Sequence, residues 1–140
     1  MFDSKLNNTQ TKGDSAMFKN LFKQPEAISR QLNASMLEER QRYLTYRTKQ
    51  GAAKTVLKEI AYYQLIIIKY LHLKEGKTLT TIEKIKSGAN RWACHEILPF
   101  SRPNVSNITC KLRFIQHATL WLRFLGRIEI PMWCSFFTLP

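Results

Sequence analysis

The sequence predicts an all-α protein, a bundle of about four helices behind a disordered N-terminal tail. Three observations predict it. Beyond residue 34, apolar side chains recur at steps of three and four, the spacing that places them on one face of a helix. Hydroxyl residues suited to opening a helix and glycines suited to closing one stand at the ends of those stretches. At 140 residues and 44% hydrophobic, the chain has material for one core and one domain.

The expected organisation has three parts: a flexible segment over 1–34, a helical bundle over 35–128 and an apolar tail over 129–140. Residues 1 to about 16 are too polar to pack. Met17-Phe18-Lys19-Asn20-Leu21-Phe22 is the first apolar cluster, and Pro25 breaks any helix begun there. The first helix is expected from Ser35 to Gln50. Ser35 is its N-cap, Glu38 completes a capping box, and Glu39 suits the positive helix start. Met36, Leu37, Tyr43, Leu44 and Arg47 follow its period, and Gly51 ends it in a left-handed conformation.

A second helix, about Ala53 to Leu73, carries Val56, Leu57, Ile60, Ala61, Gln64, Leu65, Ile68 and Leu71 on one face. Ile66 and Ile67 widen that face, which makes this the central helix. Thr80-Thr81-Ile82-Glu83 opens a third helix with a second capping-box pattern, continuing through Ile85, Ala89 and Trp92. Pro99 to Asn104 is a loop. Asn104 or Ser106 then caps a fourth helix with Ile108, Leu112, Ile115, Ala118, Leu122 and Leu125 running to Gly126. From Met132 to Pro140 there is neither charge nor helical period, as expected of a chain cut off there or read in another frame.

Lys and Arg number 22 against 10 Asp and Glu, a formal charge of +12. That surplus favours a polyanionic partner and fast electrostatic capture. It is not a basic tail: residues 1–35 carry five basic and three acidic groups, 36–80 nine and four, and 81–140 eight and three. Cys94, Cys110 and Cys134 are odd in number and irregular in spacing, which argues against a disulfide framework. The first twenty residues lack the apolar core of a signal peptide, and Leu65-Ile66-Ile67-Ile68 is far too short for a membrane span. The expectation is a soluble, cytoplasmic protein with no membrane partner and no small-molecule substrate.

Glu38-Glu39-Arg40 through Tyr43-Leu44, then Gly51, Thr55, Leu57, Tyr62, Tyr63 and Tyr70-Leu71, form a pattern. It resembles the N-terminal helical, SAM-like core-binding region of the tyrosine recombinase (phage integrase) family. Phe114-Ile115, His117-Ala118 and Trp121-Leu122-Arg123-Phe124-Leu125-Gly126-Arg127 resemble the segment that, in some larger transposon-borne integrases, joins an extra helical region to that bundle. The resemblance spans about residues 34–130. It implies a piece that clamps double-stranded DNA beside other recombinase protomers, while a separate domain does the chemistry. The family's catalytic set is an Arg, a Lys, a His-x-x-Arg pair, a further His or Trp and a late nucleophilic Tyr, which together attack and stabilise a phosphate. Here His72, His95 and His117 are followed three positions on by Glu75, Leu98 and Leu120, and Tyr70 is the last tyrosine. The expectation is a non-catalytic, truncated DNA-binding fragment from a mobile element, with no cofactor.

The resemblance implies that Lys and Arg grip phosphates. Arg40, Arg42, Arg47 and Lys49 precede the Gly51 turn, and Lys54, Thr55 and Lys58 follow it, where a helix start offers free N–H groups. Lys111 and Arg113, with Arg123 and Arg127, form a second candidate surface. Tyr43, Tyr62, Tyr63 and Tyr70 could stack on bases, but aromatics at helical spacing are core more often; Trp92 and Trp121 are read as core. Cys94, His95, Cys110 and His117 carry zinc-binding atoms at spacings that match no familiar finger. Two rival readings stand beside the integrase one. A stand-alone basic helical regulator would use Gly51 with Lys54-Thr55 as its helix-turn-helix. A toxin-like protein would lay basic helices on anionic lipid.

Overall fold

The computed structural model describes residues 16–94 and 106–129, without the side chains of 106 and 107. These residues are mostly helical: α1 (16–21), α2 (Pro25–Asn33), α3 (Leu37–Lys49), α4 (Lys54–Leu71), α5 (Ile82–Trp92) and α6 (Ser106–Leu125). Two short strands, β1 (Thr80–Thr81) and β2 (Ile128–Glu129), pair in parallel. The all-α expectation holds. Contacts group into two compact units that divide between Leu65 and Ile66, inside the range expected to be one domain.

In the first unit, two helices, α1 and α2, occupy ground expected to be flexible. Phe18 and Leu21 of α1 are buried, which gives this polar stretch the apolar anchor it needs. Pro25 opens α2 at a first-turn position, where its missing N–H costs no helical bond. The polar residues 1–15, expected to be disordered, lie outside the described residues.

Ser35 does not cap α3. Met36 holds the N-cap position with φ 58°, left-handed for a non-glycine, and makes no side-chain cap. The reason is Arg40, whose side chain is fully buried one turn into α3. Its Nε donates to Ser35 O (2.9 Å), Nη1 to Gln31 Oε1 (3.0 Å), and Nη2 to Gln31 O (2.7 Å) and Ala34 O (2.9 Å). The α2–α3 connection winds its carbonyls around this cation, and Met36 turns inward to be buried as well. Gln31 Nε2 reaches Ala61 O and Gln64 Nε2 reaches Arg40 O, both at 3.4 Å, tying α2 and α3 to α4. Tyr43, Leu44, Leu57, Ile60, Ala61 and Tyr63 are buried with them, whereas Val56, expected there, is exposed.

The second unit packs α5 on α6. Ile85, Gly88, Ala89 and Trp92 are the buried residues of α5, a three-four-three stripe. They match Phe114, Ala118, Trp121 and Leu122, all buried on α6. Trp92 and Phe114 lie 5.6 Å apart with rings tilted 31°. Both described tryptophans are core, as expected. The α5 cap shifts by one residue: Thr81 accepts from Lys84 N (3.2 Å), while Thr80 pairs with Ile128 in β1–β2. The α6 face differs too, with Ile108 68% and Leu112 61% exposed. Asn104, the Pro99–Asn104 loop and the tail from residue 130 lie outside the described residues.

Candidate nucleic-acid interface

Helix α3 ends as its sequence predicts. Gly51 sits at φ +89° with Gly51 N donating to Thr48 O and Ala52 N to Arg47 O, both at 3.0 Å. That pair of bonds is a Schellman motif, and it turns the chain within four residues from the end of α3 into α4. The turn brings the last turn of one helix beside the first turn of the next.

On α3, Arg42, Thr45, Tyr46 and Lys49 are all exposed at helical spacing, forming one cation–hydroxyl–aromatic–cation strip. Thr45 and Tyr46 were not among the expected contacts. Only their phase with Arg42 and Lys49 could have pointed to them. Gln50 Nε2 donates to the Tyr46 hydroxyl (3.0 Å), and the Tyr46 ring lies 6.1 Å from that of Tyr43. Arg47 is half-buried and lies off this strip. Its Nη1 donates to Tyr43 OH (3.2 Å), and its guanidinium stacks 5.9 Å from the Tyr43 ring centroid.

On α4, Lys54 and Thr55 are exposed, Lys58 is half-buried, and Tyr62 follows one turn later with 55% of its surface exposed. The first turn holds no acidic residue. Leu57 N→Ala53 O (3.0 Å) is the bond that starts the helical ladder, so the amides of Lys54, Thr55 and Val56 precede it. A helix start of this kind attracts anions.

Arg40 is the correction. Chosen as a phosphate contact, it is instead a buried structural cation that closes the C-terminus of α2. Burial pulls its pKa down from the ordinary arginine range to about 10, with Glu39 acting the other way, so it stays charged at neutral pH. A signal existed: Arg40 lies in the gap of the apolar stripe between Met36-Leu37 and Tyr43-Leu44, in phase with both. Tyr43 and Tyr63 are buried as expected of core aromatics, Tyr70 is half-buried, and Tyr62 stands out of the core.

The second surface is dispersed. Lys111 is half-buried and Arg113 exposed, but two positions along a helix point about 200° apart, so they do not share a face. Arg123 is exposed. Arg127 is buried beyond the end of α6, where its Nε donates to Thr78 O (3.0 Å) and its carbonyl accepts Thr80 N (2.7 Å). It serves the β1–β2 join, and so is not a surface contact. Cys94 is exposed and Cys110 half-buried, while His95 lies outside the described residues. Among the described residues no group of three or more His, Cys, Asp or Glu is placed to hold a metal, and no helix is long and apolar enough to cross a membrane. No protein-family model, curated protein or solved structure matches the chain.

Proposed function

We propose that this chain is a DNA-gripping helical piece of the tyrosine-recombinase type, holding duplex DNA without performing catalysis. The observation that carries the reading is the exposed strip Arg42, Thr45, Tyr46 and Lys49, followed across the Gly51 turn by Lys54 and Thr55 at an acid-free helix start. Two arrays of phosphate-binding groups thus meet at one sharp turn in the first unit. The net charge of +12 supplies long-range attraction to the same polyanion. Phosphate contacts of this kind position a protein on DNA and carry little sequence information. Specific readout and strand chemistry are assigned to other parts of a recombinase assembly.

The test is fluorescence anisotropy with a labelled mixed-sequence duplex, comparing the wild type with the R42Q/K49Q/K54Q variant across a salt series. Removing three phosphate contacts lowers the log–log salt slope by about three units. An unchanged slope would move the grip elsewhere on the molecule. Vesicles of anionic lipid serve as the parallel arm. Binding to these vesicles without binding to DNA would replace this reading with the membrane-surface one.

A further inference from the structure

Helix α2 fully buries one residue, the polar Gln31, committed to Arg40 and to Ala61 O. Its aliphatic pair Ile28 and Leu32, one turn apart, is only half-buried. These two side chains, with Phe22 and Pro25, line an open groove between α1 and α2 of about 620 Å³. A helix normally gives its apolar side to the core. Here Gln31 takes the most buried position, and Ile28 and Leu32 beside it keep part of their apolar surface in the groove.

The groove is rimmed by Lys19 of α1 and Lys23 of the connection that follows it, both exposed. No carboxylate is among its lining residues. An apolar floor with a cationic edge complements an amphipathic helix that is apolar on one side and acidic beside it. Duplex DNA is a poor match. It offers phosphates to the lysines but no row of apolar side chains for Phe22, Ile28 and Leu32. The groove shares no residue with the Arg42–Lys58 surface.

We propose that this α1–α2 groove is a docking site for an amphipathic helix with acidic flanks, borne by a partner protein. The inference stands independently of the DNA-grip reading. It gives the chain a second surface, one that recruits protein through apolar knobs and Lys–carboxylate pairs.

The experiment uses the full chain, labelled with nitrogen-15, and a synthetic peptide of about four helical turns with Leu at i, i+3, i+4 and i+7 and Glu elsewhere. Titration shifts the backbone amides of Phe22, Ile28 and Leu32. The K19E/K23E variant, altered only at exposed positions, weakens the peptide by about tenfold, and a peptide with Lys in place of Glu does not bind. Three results would each overturn the proposal. They are no shifts at millimolar peptide, shifts confined to other helices, or K19E/K23E binding as tightly as the wild type. If a mixed-sequence duplex, and not the peptide, moves these amides, the groove belongs to nucleic acid instead.

Discussion

A guanidinium taken out of water needs acceptors arranged around its plane, and Arg40 finds four of them on α2 and the connection that follows it. Three backbone carbonyls and the Gln31 side-chain oxygen accept from it, and the Phe18 ring lies 5.8 Å from its centre. Two of these carbonyls, Gln31 O and Ala34 O, come from the end of α2, where the helix dipole favours a positive charge. Because the folded-state pKa lies below the unfolded one, burying the charge is a cost at neutral pH, offset by this hydrogen-bond fan and by Glu39. Arg40→Met therefore leaves several buried oxygens without donors, and the expected loss is about 3 kcal/mol by urea denaturation. Arg40→Lys loses most of it too, since an ammonium cannot present the planar fork. A change below about 0.5 kcal/mol for Arg40→Met would show that the fan is dispensable. The left-handed Met36 belongs to the same device: the Arg40 side chain holds the two carbonyls before it, Ala34 O and Ser35 O, and Arg40 N donates to Met36 O (2.9 Å).

At the scale of an element, α6 shows why period alone does not choose a face. Its residues are apolar over much of the circumference, and the expected stripe of Ile108, Leu112, Ile115, Ala118, Leu122 and Leu125 is only partly kept: Ala118 and Leu122 are buried beside Phe114 and Trp121, while Ile108 and Leu112 are exposed. The buried set faces α5, which carries Gly88 at its closest approach. A Cβ at Gly88 would lie 2.5 Å from Leu71 Cδ2 and 3.5 Å from the Phe114 ring. Gly88→Ala is expected to cost about 1 kcal/mol by thermal or urea unfolding, as the end of the Leu71 side chain must shift while Phe114 stays at ordinary contact distance. Leu112→Gln, on the stripe that favoured sequence phase, should change stability by less than about 0.5 kcal/mol. The reverse order of these two effects would restore the face read from the sequence. Helix ends divide in the same way. Gly51 was legible as a left-handed stop from its identity, and the Thr80-Thr81 pair as a helix start to within one residue. Ser35 was not legible as a non-cap, because the group that pulls its carbonyl away is a side chain five residues later.

For the whole molecule, charge is the property that sets behaviour at a distance. Four cations remain on the candidate surface once Arg40 and the Tyr43-bound Arg47 are set aside: Arg42, Lys49, Lys54 and Lys58. If each neutralises one phosphate, the log–log slope is about −3.6, and raising salt from 50 to 200 mM lowers duplex affinity about 150-fold. A slope near zero in anisotropy titrations would mean that the charge excess steers nothing.

Composition, period and punctuation determined the all-α class, four of the helices and the basic character, since each follows from local residue order and from counting. The grouping of basic residues around the Gly51 turn was legible for the same reason: neighbours in sequence across a tight turn are neighbours in space. Only tertiary structure decided the remainder. It selected which apolar residues α6 buries, ordered α1 and α2 where composition suggested flexibility, and divided the contacts at Leu65. Above all it drew Arg40 inside while leaving Arg42, two residues away, in solvent. A charged side chain reads alike in sequence wherever it lies. Whether it meets water or a ring of carbonyls depends on what the rest of the chain brings to it.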